Sequence, residues 1–123
     1  MNRLAPLALV PLLLVGCTSS KTKSTGSVST TGDAGAQIVS LDLTSALSFV
    51  PNTVAAKVGT VTFTVSNTGQ VPHNMEFGDK ALGKTATVNG KTSTTLKVIF
   101  DKAGTFTFQC TFHPGMTGKV VVS

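Results

Sequence analysis

Cys110-X2-His113-X2-Met116, close to the C-terminus, sets a thiolate, an imidazole and a thioether within seven residues. A second imidazole, His73, lies upstream in Val71-Pro72-His73-Asn74-Met75. The chain has only two His and two Cys, so both histidines and the one cysteine outside the N-terminal leader fall into a single candidate site. Thiolate and thioether sulfurs favour Cu(I), while imidazole serves either oxidation state. A His2Cys plane with a weak, long axial Met is the blue-copper arrangement. Its geometry lies between those the two oxidation states prefer, so neither needs much rearrangement and electron exchange is fast. Zinc also accepts Cys and two His, yet it seldom recruits a thioether and prefers a closed shell of N, S and carboxylate donors.

Each residue alone has a plainer reading. A single His is usually structural or solvated, a buried Cys is usually an inert small hydrophobe, and a Met at a strand end usually fills core. What points to a metal is the loop spacing, between a Phe-alternating segment and Gly118-Lys119-Val120-Val121-Val122, with Pro72-His73-Asn74 upstream.

The elements that must position these residues read as strands. Val61, Phe63 and Val65 alternate with Thr60, Thr62 and Thr64; Phe106, Phe108 and Cys110 alternate with Thr105, Thr107 and Gln109; Leu96, Val98 and Phe100 alternate less cleanly because of Ile99. Period-2 patterns rich in β-branched and aromatic residues predict half-buried strands. Further runs at 38–43, 54–58, 73–77, 85–88 and 119–122 bring the expected total to seven or eight. Thr44 to Phe49 is ambiguous, and Asp79 to Gly83 is a helical turn or a loop. Regular turn signals with little helix predict an all-β Greek-key sandwich over residues 37–123. Its core is expected from Val, Leu, Ile and the seven Phe, since Trp and Tyr are absent. Cys110 shares its face with Phe106 and Phe108, so a thiolate there sits at the end of the apolar core and is disfavoured unless a cation binds. His73 reaches the other donors only through folding, so metal binding stabilises the folded state. With three donors on one loop and His73 fixed on a strand, the metal-free form is expected to keep its fold.

Residues 1–16 read as a signal peptide: Met1-Asn2-Arg3 is followed by an apolar run too short to cross about 30 Å of hydrocarbon as a helix. Leu14-Val15-Gly16-Cys17 resembles a bacterial lipobox, which implies cleavage before Cys17 and acylation of that residue. Several acyl chains hold a protein on a membrane where one alone is marginal. Residues 18–36 carry ten Ser/Thr and three Gly in nineteen positions and are expected to form a disordered tether about 24 Å in mean span. These features predict a domain outside the cytoplasm, lipid-anchored to the outer face of the cytoplasmic membrane or in the periplasm. With Cys17 lipidated and Cys110 on metal, no disulfide is possible.

Net charge is +5 overall; over 37–123, seven lysines face four carboxylates, a balance of +3. The charges are scattered without aromatic interleaving, so nucleic-acid binding has no support. A mild basic bias could speed docking to an acidic partner. Paired carboxylates, a nucleophile elbow and a phosphate loop are all missing, and four protein donors leave no obvious open metal position for a substrate.

From Phe49 to Ser123 the chain resembles the cupredoxins, through Phe49-Val50-Pro51, Lys57-Val58-Gly59-Thr60, Pro72-His73-Asn74, the run from Gly104 to Cys110, and Gly118 to Val122. Its short Cys-X2-His-X2-Met loop is similar to the amicyanin type. The resemblance implies one type 1 copper per chain, with His73, Cys110 and His113 as equatorial ligands and Met116 as axial ligand. It implies that Asn74 ties the two ligand loops together beside the thiolate, and that His113 is the electron port. A monomeric carrier of single electrons between redox protein partners follows, rather than an enzyme. Three departures stand out: Phe112 replaces the Pro common before the second His, Gly115 replaces a larger apolar residue, and Gln109 stands where plastocyanin has a Tyr. Other readings are a lipoprotein that stores or delivers copper, a small catalytic copper protein with Met116 swung away, and a metal-free sandwich used for adhesion.

Overall fold

The computed structural model describes residues 36–123, together with the backbone of two short strands at Thr25–Gly26 and Ser29–Thr30. The signal peptide at 1–16, Cys17 and most of the linker lie outside the described residues.

Among the described residues ten strands occur in chain order: β1 Thr25–Gly26, β2 Ser29–Thr30, β3 Gln37–Leu43, β4 Phe49–Val50, β5 Thr53–Ala56, β6 Gly59–Asn67, β7 Glu76–Phe77, β8 Ser93–Phe100, β9 Gly104–Gln109 and β10 Thr117–Val122. The described residues contain no α-helix, only a 3-10 turn at Lys80–Leu82. One sheet runs β1-β5-β10-β9-β7; the other runs β2-β3-β6-β8, with β4 paired to the end of β3. The eight strands from Gln37 onward make the expected all-β sandwich. Both sheets are mixed, because β3 lies parallel to β6 and β5 parallel to β10. The linker supplies β1 and β2 to sheet edges, where unpaired N–H and C=O groups accept any extended backbone.

Alternation explains which faces meet. Val39, Leu41 and Leu43 on β3, and Val61, Phe63 and Val65 on β6, point inward at 1% exposure or less. Phe108, Val120 and Val122 close the core from the other sheet. Phe77 sits among Phe63, Phe100 and Phe108 with ring centroids 5.7–6.0 Å apart in edge-on contacts, an arrangement aromatic quadrupoles favour. Burying each such ring contributes about 1.5–3 kcal/mol. Phe49, Phe63, Phe77, Phe100 and Phe108 are buried, Phe106 is half-buried, and Phe112 is exposed. Neither isoleucine joins the core: Ile38 and Ile99 fall on the outer positions of β3 and β8.

Three local expectations change. Thr44 to Ser48 is a tight loop, with the Leu47 N–H donating to the Thr44 carbonyl at 3.0 Å and Leu47 at φ 55°, and it leads into β4. His73 to Phe77 forms a strand only at its last two residues. Thr85 to Val88 forms one isolated bridge, Val88 opposite His73, and Lys84 just before it bridges Glu76. Pro72 has no N–H to give a ladder, and Asn74 directs its side chain to Thr111 instead of continuing the pairing.

Candidate metal centre

Cys110 follows the last residue of β9 and continues the inward face of Phe108, so its sulfur stands at the rim of the core, 3% exposed. The chain then turns back at once. The Cys110 N–H donates to the Met116 carbonyl at 3.0 Å, and the Met116 N–H donates to the His113 carbonyl at 3.2 Å. Gly115, at φ 86°, supplies the left-handed residue that this tight return needs. His113 is half-buried on the loop, while Met116 is buried at 1% exposure just before β10.

His73 arrives from the opposite side. Its main chain exchanges two hydrogen bonds with Val88, at 3.1 and 2.7 Å, and its ring is fully buried. The His73 Nδ1 lies 3.8 Å from the Cys110 Sγ, and the His113 Nδ1 lies 3.5 Å from the same sulfur. Donor atoms of all three residues fall within 4.8 Å of one another. Donors held at about 2.0–2.3 Å from one ion, the range for imidazole and thiolate on a first-row metal, are spaced about 3.5–3.8 Å apart. The two nitrogen–sulfur separations match that spacing and all three donors lie within 4.8 Å, so the three side chains fit a metal ion.

Burial first, and the neighbouring His113 second, push the His73 pKa below its ordinary 6.5; the Thr44 main chain pulls the other way. That pull forms no bond of normal geometry to Nε2, which is buried without a hydrogen-bond partner. Burial and the neighbouring imidazole thus favour the neutral ring, the form in which histidine ligates a metal.

Asn74 bridges the two ligand segments. Its Nδ2 donates to Thr111 Oγ1 at 2.9 Å, and the Thr111 N–H donates to Asn74 Oδ1 at 2.8 Å. Of the residues singled out from sequence, His73, Cys110 and His113 are brought together, Asn74 joins their segments, and Met116 is locked to the same loop by its main chain. Cys17 lies outside the described residues. The sequence alone points neither to Thr111 as the partner of Asn74 nor to Asn67, which is 2% exposed and hydrogen-bonded through both side-chain atoms.

No charged side chain occurs in 43–56, 58–75 or 103–118, the segments that supply the donors and three of the loops beside them. Leu47, Val71 and Phe112, exposed on those loops, add apolar surface at this end.

The family model described as a cupredoxin-like domain matches residues 7–122. Amicyanin from Paracoccus denitrificans is 41% identical over 68 residues, 54% of this chain and 51% of that protein, so the chain spans about half the length of this curated relative. Among solved structures, an oxidized amicyanin carrying a proline-to-alanine substitution is similar at TM-score 0.56 and 32% identity, covering 68% of this chain and 80% of that one. Auracyanin A, a blue copper protein from the green thermophilic photosynthetic bacterium Chloroflexus aurantiacus, is similar at TM-score 0.65 and 20% identity, covering 72% of this chain and 100% of that one, a likeness of fold alone. Because the match extends over 7–122 and two imidazoles and a thiolate converge at the spacing one ion requires, the chain belongs to the cupredoxin family and takes one copper ion as its cofactor.

Proposed function

We propose that this protein carries single electrons between redox proteins outside the cytoplasm while lipidated Cys17 holds it at a membrane. The observation that carries the reading is the convergence of His73 Nδ1 and His113 Nδ1 on Cys110 Sγ. His73, Cys110 and His113 would hold the ion, with Met116 as the fourth, weaker donor. Copper supplies a one-electron couple between Cu(II) and Cu(I) when bound.

The surrounding residues serve that couple in distinct ways. Met116, Cys110 and His73 are buried and exclude water, whereas half-buried His113 offers its imidazole edge as the exit toward a partner. Asn74 and Thr111 keep the two segments in one arrangement, which keeps the rearrangement between oxidation states small. The largely apolar loops around His113, which the Lys91 ammonium reaches only at the Thr68 carbonyl, favour close apolar contact with a partner. Nothing in this arrangement calls for a substrate position, which supports a carrier rather than an enzyme. A storage or delivery role, which suits open and labile sites rich in Met and His, gains little from a second methionine, Met75, that is fully buried.

Addition of Cu(II) to the purified protein is expected to give an intense blue thiolate-to-copper absorption and a reversible one-electron wave, both lost in Cys110→Ser. A pale complex with no reversible wave would favour storage or delivery. For the anchor, the expected result is membrane-fraction protein carrying acyl mass on Cys17 and release of Cys17→Ala; an unmodified Cys17 would remove the tether from the account.

A further inference from the structure

We infer that Asn67 is a positioning residue for the buried ligand His73, an inference that rests on the copper reading above. Asn67 ends β6, six residues before His73, and is 2% exposed. Its Nδ2 makes two donations, to the Val71 carbonyl at 2.7 Å and to the Val88 carbonyl at 2.9 Å. Val88 O is the same oxygen that accepts the His73 N–H at 3.1 Å. Oδ1 accepts from the Gly69 N–H at 3.0 Å, an Asx turn that folds the start of the loop. The main chain is equally committed: Asn67 N–H donates to Thr92 O at 2.8 Å, and Asn67 O accepts from the Lys91 N–H at 2.9 Å.

The consequence is specific to His73. One amide clamps the carbonyl two residues before it and the carbonyl directly across from it. Between them stands Pro72, whose ring fixes φ. Few soft torsions remain between the end of β6 and the His73 ring. Asn74 restrains the same segment from the Cys110 side, so the ligand is gripped from both directions. An amide suits this place because a carboxylate would face two carbonyl oxygens with no proton, and an apolar side chain would drop both donations, leaving Val88 O with the His73 N–H alone.

The test compares Asn67→Asp and Asn67→Ala with Gln37→Ala. Gln37 is a buried amide that bonds the Lys57 main chain at 2.9 and 2.6 Å at the far end of β3. Removal of a residue that orients a metal ligand typically costs about 10–100-fold in metal affinity. We expect that loss, with a shifted blue absorption and faster exchange of the His73 amide proton, in the Asn67 variants. Gln37→Ala should lower stability while leaving copper affinity and spectrum at the parent's values. Parent-like copper affinity and absorption in the Asn67 variants, or an equal loss in Gln37→Ala, would overturn the inference. If neither Asn67 variant folds, the parent decides: its two Asn67 side-chain amide protons should resist exchange in copper-free protein, unlike those of exposed Asn52, and equally fast exchange overturns the assignment. A parent that binds no copper at Cys110 would instead sink the copper reading, a different result.

Discussion

His73 Nδ1 stands 3.8 Å from Cys110 Sγ although 37 residues separate the two in sequence, and both side chains are buried. The His73 main chain is fixed by its two bonds to Val88 and the Cys110 N–H by the Met116 carbonyl, so protein contacts position both ligands. Copper-free protein should therefore give amide-exchange protection across β3, β6, β8 and β9 close to that of the loaded form. Global loss of protection on copper removal would contradict this. Added copper should still raise the midpoint of unfolding, since a ligand of the native state alone stabilises it by mass action.

Acid should weaken the copper-free protein through His73. Its folded pKa lies below the unfolded value of 6.5, chiefly from burial, so below pH 6.5 the unfolded chain binds more protons. Stability contributed by the neutral ring is fully present above 6.5, is lost as pH falls toward the folded value, and levels off beneath it. Denaturant unfolding compared at about pH 7.5 and about pH 5.5 should show this slope, reduced in His73→Gln. An unchanged slope in that variant would assign the acid sensitivity elsewhere.

Gly118→Ala should destabilise the domain. A Cβ there would overlap the Phe108 ring and lie 2.8 Å from the Asn52 carbonyl. Phe108 cannot easily give way, since it packs edge-on against Phe49 at 4.8 Å and Phe77 at 5.7 Å. Overpacking of this kind costs about 1–3 kcal/mol, and each kcal/mol lowers the melting temperature by about 4–8 °C in a domain of roughly this size. Thermal unfolding of the copper-free variant checks it.

Much of this arrangement is legible in the chain itself. Val61, Phe63 and Val65 face the core as their alternation implies, because a pleated strand allows no other outcome once one face is buried. The loop from Cys110 to Met116 announces its donors, since so few side chains bind copper. Legibility fails where a residue's role depends on distant carbonyls. Asn67 looks like an ordinary turn residue until folding brings Val88, 21 positions away, to its amide. Thr111 is likewise anonymous until Asn74 reaches it. His73 sits in a strand-like run, yet Pro72 and the Asn74 side chain divert the backbone, leaving isolated bridges and a two-residue strand where a continuous ladder is expected.

Electron self-exchange should depend weakly on salt, because the segments that supply the donors carry no charged side chain and the Lys91 ammonium touches them only at the Thr68 carbonyl. Between about 0.01 and about 0.1 M salt the screening length falls from about 30 to about 10 Å, and NMR line broadening in mixtures of the two oxidation states should give rates that change by less than about threefold. Phe112→Glu, which puts a charge beside His113, should slow exchange and make it clearly salt-dependent. A steep salt response in the parent would mean that the scattered lysines, not this end, govern encounter.

The central claim is that two histidines and one cysteine share a single copper ion, and X-ray absorption at the copper edge of the loaded protein tests it most directly. Two nitrogen scatterers and one short sulfur scatterer, all at about 2.0–2.3 Å, are expected, with the short sulfur lost in Cys110→Ser. A copper environment of nitrogen and oxygen alone, or one nitrogen where two are required, would contradict the account.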